Sequence, residues 1–277
     1  MTGGPAGAAA VPVLSNPRAD RVKQVRALAG RSGRRRARRF LVEGPQGVRE
    51  AVRFASDAVL DVYVADRAAE RYPEIVAEAS ESGLRVHACT DEVVSAMSGD
   101  AQGVLAVVGM ERAEGATVPP GARLVAILAE VRDPGNAGTV IRAADAAGAD
   151  AVILAGDAVE ALNPKVLRAS AGSYFHLPVI EGVSLVDAVG MVRSAGMRVL
   201  ATDGGANLEL GSPGADDEAL RAPTAWIFGN EAHGLAPNER DLGEAVRIPV
   251  YGNAESLNLA AAAAICLYAS ASAQRRG

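Results

Sequence analysis

Three short segments gather the side chains that could do chemistry, and each follows a run of apolar, strand-forming residues. The first, DPGNAGTVIRAADAAG (133–148), carries Asn136 and, six residues on, Arg142. The second, FGNEAHGL (228–235), places the amide of Asn230 and the carboxylate of Glu231 between two glycines. The third, IPVYGNAESLNLAAAAA (248–264), sets Ser256 and Asn258 at the entrance to an alanine-rich helix. Loops that follow buried strands are where open α/β sheets bind ligands. Taken singly, each has a plainer reading. Asn136 and Ser256 could cap helices, Glu231 could cap a turn, and Arg142 could face solvent.

The familiar alternatives are missing from the sequence. There is no phosphate loop of the G-x-x-x-x-G-K-[ST] type and no G-x-G-x-x-G between a strand and a helix. No G-x-S-x-G elbow and no Cys–His pair at an interpretable spacing occurs. Two cysteines, Cys89 and Cys266, give neither a disulfide framework nor a metal-ligand spacing. His87, His176 and His233 stand apart, so no metal is expected, and His233 is read as a neighbour of the second segment rather than as a base.

In order, the segments read D-P-x-N-x-G-T-x-I-R, F-G-N-E-x-x-G-L and I-P-x-x-G-x-x-E-S-L-N. This series resembles the three signature motifs of the SpoU family, knotted (SPOUT-type) enzymes that methylate a ribose 2′-oxygen in RNA with S-adenosylmethionine. The resemblance covers about residues 123–273 and includes SAGSYFHLPV (170–179). One departure is Ala260, where many relatives have a second serine. The resemblance implies a deep trefoil knot and a catalytic set of Asn136, Arg142, Glu231, Ser256 and Asn258. It places the cofactor against Gly229, Ile248 and Leu257, with the loop that starts at Thr202 as a further wall. A ribose hydroxyl is a very weak acid, so charge developing on its oxygen must be stabilised or its proton removed. Arg142 is the implied key residue. A guanidinium is nearly always protonated, so orienting an RNA phosphate and stabilising alkoxide charge suits it better than acting as a base. Homodimerisation is also implied, and the alanine-rich final helix offers a small-residue face for it.

Near the amino terminus, RRFLVEGPQGVREAV (38–52) resembles the L30e-like RNA-binding domain attached to many SpoU enzymes, most nearly the actinobacterial branch that includes thiostrepton-resistance methyltransferases. The arginine run RSGRRRARR (31–39) precedes and overlaps it. Arg26, Arg34, Arg35, Arg36, Arg38 and Arg39 are read as phosphate contacts, which position RNA without specifying its sequence. The plainer reading is a solvated basic loop.

The elements that must position these residues follow from periodicity. A basic helix spans 17–29, and the arginine run comes next. A strand at 40–42, a helix at 46–54, a strand at 61–65 and a helix through 67–81 follow. A strand at 84–88, a helix at 91–97 and a strand at 103–108 complete a small α/β domain of residues 14–110. Residues 111–122, with two prolines and two glycines, read as a linker. Over 123–277 strands at 124–129, 151–155, 198–202, 224–228 and 246–250 alternate with helices at 138–147, 163–170, 184–195, 237–243 and 257–272. This pattern indicates an α/β domain with a mostly parallel sheet.

The 277 residues carry a net charge of −5, which taken alone argues against nucleic acid. Its distribution reverses that argument: residues 1–45 sum to +8 and the remainder to −13. A basic front end on an acidic body fits docking onto RNA, and the separate basic domain favours ribosomal over transfer RNA. A tRNA methyltransferase, or a catalytically idle RNA-binding or ribosome-assembly factor on the same fold, are the competing expectations. No signal peptide or membrane-spanning run is read, so a cytoplasmic protein is expected.

Overall fold

The structure is a computed structural model that describes residues 13–211, 220–230 and 233–276. It divides into two compact units, one ending at Gly109 and the other beginning at Met110. No helix among the described residues is long and apolar enough to cross a membrane.

The first unit is built on a mixed four-stranded sheet in the order β1-β4-β2-β3. The strands are β1 (Arg39–Glu43), β2 (Val59–Ala65), β3 (Val86–Cys89) and β4 (Val104–Gly109). Strand β4 is antiparallel to both neighbours, and β2 and β3 are parallel. Around it run α1 (Asp20–Ala27), α2 (Arg31–Ala37), α3 (Pro45–Phe54), α4 (Asp66–Arg71), α5 (Pro73–Glu81) and α6 (Asp91–Met97). Two readings change here. The helix expected through 67–81 is broken at Tyr72, because Pro73 disfavours helical geometry in the residue before it. The arginine run is not a loop but helix α2, ended by Arg38 in a left-handed conformation with φ of 50°.

That helix sorts its arginines. Arg34 is only 4% exposed and donates to the carbonyls of Leu28 (3.3 Å) and Ala29 (2.9 Å), at the end of α1. Its reading as a phosphate contact is therefore corrected: the guanidinium turns inward onto the carbonyls of the turn that follows α1. Arg26, Arg35, Arg36, Arg38 and Arg39 remain exposed.

The second unit carries seven strands in the order β7-β6-β5-β10-β8-β11-β9, every neighbouring pair parallel. They are β5 (Leu124–Ala129), β6 (Ala151–Ala155), β7 (Val179–Val183), β8 (Arg198–Thr202), β9 (Leu208–Glu209), β10 (Thr224–Phe228) and β11 (Glu244–Arg247). The central strands LVAILA, AVILA and TAWIF are buried at every position, as unbroken apolar runs covered on both faces must be. On one face Val125, Ile127, Ile153 and Ile227 pack against Leu185, Ala188, Val189 and Val192 of α9 (Leu185–Ser194), and Ala116 and Val118 join this cluster. Against the sheet's other side pack α7 (Pro134–Ala147) and the last helix, α11 (Leu259–Arg275), where the buried Trp226 indole donates to Ser270 Oγ at 2.8 Å. Helix α7 also packs closely on α8 (Pro164–Ala169). A Cβ at Gly138 would stand 2.4 Å from the Val166 carbonyl oxygen and 2.5 Å from Ala169 Cβ, so only glycine fits.

Several boundaries move. Helix α7 begins at Pro134 rather than 138, because Asp133 caps it by accepting from the Asn136 N–H at 2.7 Å. Strand β11 ends at Arg247, and the helix near 237 is a single turn, α10 (Pro237–Arg240). Strands β7 and β9 were not expected. Each is short, and β7 is interrupted by Gly182, which hides its pattern.

Candidate active site

In a parallel sheet every strand delivers its carboxyl end to the same edge. Strands β5, β10, β8 and β11 are consecutive neighbours, so the segments that follow them meet there although they are far apart in sequence.

After β5, Glu130 takes a positive φ of 52°. Its carbonyl accepts from Asn230 Nδ2 at 2.8 Å, which ties the loop after β10 to the loop after β5. Backbone bonds between Asn230 and Gly234 (3.2 and 2.8 Å) close that second loop. Glu231, the carboxylate expected in the catalytic set, lies outside the described residues. A Cβ at Gly229 would come within 2.4 Å of the Gly234 carbonyl carbon. Glycine is therefore required there by the loop's own backbone. After β8, Thr202 Oγ1 donates to the Ile227 carbonyl at 3.1 Å. Asp203 accepts from the Gly205 N–H and, at 2.9 Å, from Arg240. These bonds, that to the Gly205 N–H foremost, hold its carboxyl below the usual range.

The segment after β11 runs exposed from Val250 to Asn258. The final helix starts at Leu259, two residues later than expected, and its cap is Asn258 rather than Ser256. Asn258 Oδ1 accepts from the N–H groups of Ala260 (2.9 Å) and Ala261 (3.3 Å), which fixes the amide's orientation and turns its Nδ2 outward. Nδ2 donates to Asn136 Oδ1 at 3.0 Å. Asn136 and Asn258, 122 positions apart, are thus hydrogen-bonded to each other.

Around this pair lie two adjoining cavities. One, of about 450 Å³, is lined by Asn136, Thr202, Gly229, Ser256 and Asn258 among others. The other, of about 360 Å³, is lined by Thr202, Asp203, Val246, Ile248, Ser256 and Leu257. Thr202, Ser256 and Leu257 line both. The edge therefore brings together Asn136, Ser256, Asn258, Thr202, Gly229, Ile248 and Leu257. Arg142 lines neither cavity. It lies six residues beyond Asn136, about 9 Å along the axis and roughly 240° around it. It sits on an exposed stripe of α7 with Gly135, Thr139 and Ala146, and no hydrogen bond or ion pair among the described residues holds it. Sequence reasoning had not singled out Asn230 as the tie to Glu130, nor Asp203 and Arg240. The Gly–Asn pair at 229–230 was the available signal for the first, and nothing in the spacing signalled the second.

Chemically, the cavities offer the amides of Asn136 and Asn258, the hydroxyls of Thr202 and Ser256 and apolar walls, and the second adds the charged side chains of Asp203, Arg247 and Glu255, a set suited to orienting a ligand. Among the described residues no group of three or more His, Cys, Asp or Glu is placed to hold a metal ion.

The sequence profile of the SpoU rRNA Methylase family matches residues 123–268, and that of the MRM3-like substrate binding domain matches residues 19–106. The chain is 34% identical over 260 residues to the 23S rRNA (guanosine(2553)-2′-O)-methyltransferase RlmP of Bacillus subtilis, covering 92% of this chain and 97% of that one. It is 32% identical to the 23S rRNA (guanosine-2′-O-)-methyltransferase RlmB of Bordetella pertussis, covering 86% and 98%. Among solved structures, the SpoU methyltransferase AviRb of Streptomyces viridochromogenes in complex with AdoMet superposes with a TM-score of 0.78 at 30% identity, covering 94% of this chain and all of that one. With both profiles matched in order and an edge that assembles the three motifs, the chain belongs to the SpoU rRNA methylase family.

Proposed function

We propose that this protein transfers a methyl group from S-adenosylmethionine to a ribose 2′-hydroxyl of ribosomal RNA. The observation that carries the reading is the Asn258–Asn136 hydrogen bond, which joins the first and third motifs at the cavity they line. The adjoining cavities fit the cofactor in size and character: each lies in the range of small-molecule sites, with apolar walls from Ile248 and Leu257 and polar groups from Thr202 and Ser256. When bound, the cofactor supplies an electrophilic methyl group on a sulfonium. Gly229, Thr202, Ile248 and Leu257 would hold it, while Asn136, Ser256 and Asn258 orient the ribose and Glu231 supports them. Arg142 holds the neighbouring phosphate and stabilises charge on the attacking oxygen. A backbone in which β10 returns between β5 and β8 suits the trefoil knot implied by the motifs.

Because Arg142 is exposed and lines neither cavity of its own subunit, we read the active unit as a homodimer in which a second copy completes the site. Exposed apolar side chains at Val250, Tyr251, Ile265 and Tyr268 are available to such a contact. Light scattering that finds only monomer in an active preparation would sink the dimer. The reaction is read as metal-free and cytoplasmic. Loss of activity to a chelator, reversed by a divalent ion while the RNA stays folded, would contradict the first part.

The test of the whole reading is incubation with labelled S-adenosylmethionine and separately prepared unmodified bacterial 23S rRNA and tRNA, followed by mapping of the modified nucleotide. Label at a ribose of 23S rRNA is expected. Label in tRNA alone would move the protein to the tRNA enzymes, and label in neither would leave an idle RNA-binding factor.

A further inference from the structure

The first unit holds a cavity of its own, of about 350 Å³, beneath α1 and α2. Its charged lining is Arg21, Arg36, Arg39, Arg85 and Asp61, four cations against one carboxylate, and Tyr63 contributes to the wall. The single carboxylate is already engaged. Asp61 Oδ1 lies 2.8 Å from His87 Nε2 and 3.8 Å from Arg85 Nε. The side chains of Arg36 and Arg39 are exposed and make no hydrogen bond or ion pair with the described residues. Two guanidinium groups therefore border a concave surface with their donors unspent.

The geometry also fixes a third. Arg21 Nη1 lies 3.4 Å from His87 Nδ1. A guanidinium can only donate, so Nδ1 accepts, and the ring's proton sits on Nε2, where it is donated to Asp61. The His87 ring stacks on Tyr63 with centroids 4.8 Å apart and planes 21° apart, which sets its orientation. Burial, and then the charge of Asp61, pushes the Tyr63 phenol up to about 12, so this wall stays neutral. The chain Tyr63–His87–Asp61 thus aims Arg21 at the cavity from a fixed support, which a solvated basic surface has no reason to build.

We propose that this cavity is a phosphate pocket that seats one nucleotide of the substrate RNA, with Arg36 and Arg39 contacting its phosphate and His87 positioning Arg21 beside them. Planar guanidinium forks pair with phosphate oxygens in a bidentate way, and the volume is that of a small-ligand site rather than a flat patch. The assignment rests on the reading of RNA as substrate, and it adds Arg21, Arg85, His87 and Asp61, none of which the arginine run includes.

The test compares two charge-matched pairs on the same chain: Arg36→Gln with Arg39→Gln in the cavity, and Arg35→Gln with Arg38→Gln outside its lining. Binding of unmodified 23S rRNA is measured over a series of salt concentrations. The cavity pair should weaken binding about tenfold and lower the slope of log affinity against log salt by about 0.7–0.9, the contribution of one phosphate. The outer pair should change affinity less than about threefold. Equal losses from the two pairs would overturn the pocket, leaving a diffuse field. His87→Phe keeps the ring on Tyr63 and removes the acceptor. It should cost about threefold alone and nothing further in an Arg21→Gln background, and additive losses would overturn the positioning role. Inorganic phosphate titrated into the parent protein separates the sources of the anion. Micromolar binding, lost in the cavity pair while rRNA affinity is unchanged, would overturn the RNA assignment in favour of a free anion. Failure of the parent protein to bind or methylate rRNA would be a different result, and would remove the RNA reading itself.

Discussion

The two units of this chain solve opposite problems with their polar side chains. In the first, functional polarity is cationic and held loosely: Arg36 and Arg39 border a cavity with their donors unspent. In the second it is mostly neutral and held tightly: Asn258 makes two capping bonds and a third to Asn136, and Asn230 is tied to the Glu130 carbonyl. The sheets match this division. The mixed sheet of the first unit sends strand ends in both directions, and its site lies between helices and strands. The all-parallel sheet of the second sends all seven carboxyl ends to one edge, four of them next to the site, where small errors in position would spoil an in-line reaction. Phosphate attraction tolerates mobile side chains, since its reach is set by charge. Methyl transfer does not, since its reach is set by orientation. The lesson is that grip can be left to flexible arginines, while alignment has to be built from short side chains locked by backbone.

Arg142 should give the largest effect, because it is the one member of the second unit's set that resembles the first unit's loose cations. Arg142→Ala is expected to lower turnover by about 10²–10³, in the range of losing one donor to a developing oxyanion, with cofactor binding and fold unchanged. Arg142→Lys should be nearly as poor, since it keeps the charge and loses the planar fork. A folded Arg142→Ala protein with near-parental turnover would erase the contrast and return the idle-factor reading. Next comes Arg34, the arginine of the run that behaves like the second unit's locked residues. Arg34→Ala should destabilise the first unit by about 1.5–3 kcal/mol, the range for hydrogen bonds from a charged donor, and leave the salt dependence of RNA binding unchanged. The sole tryptophan, Trp226, lies in the second unit, so the loss should appear in the circular dichroism melt before it appears in fluorescence. A reduced salt slope with unchanged melting would restore Arg34 to the phosphate contacts. The smallest stability effect is expected at Asn258. Asn258→Ala removes the cap of α11 and should cost about 1 kcal/mol, read directly by Trp226, which is bonded to Ser270 of that helix. Asn258→Asp keeps the capping acceptor and loses only the donor to Asn136. It should recover the stability and not the turnover, and full recovery of both would mean the Asn136–Asn258 bond is incidental.

Much of the fold could be read before the structure. Continuous apolar runs such as LVAILA and TAWIF are strands because nothing else buries them on both faces, and they appear where expected. Pro73 was visible as well, yet the apolar period on either side of it masked the break at Tyr72. Strands β7 and β9 escaped because five residues interrupted by glycine, or two residues alone, carry too little pattern. At the site, residue types were legible and roles were not: Asn136 and Ser256 each satisfy the rules for a helix cap, and the caps turn out to be Asp133 and Asn258.

By itself the sequence determined which residues are present and in what order: a basic front end, an acidic body, buried strands and three polar motifs behind them. Those properties are local, since hydrophobic period, charge density and motif spacing are all set within a few turns of chain. Only the tertiary structure decided that Asn136 meets Asn258 across 122 positions, that Arg34 turns inward while Arg36 and Arg39 border a cavity, and that Arg142 lines neither of the cavities its motif helps to build. The physical reason is strand order. Placing β10 and β8 between β5 and β11 brings distant loops to one edge, and no local interaction encodes which strand lies beside which.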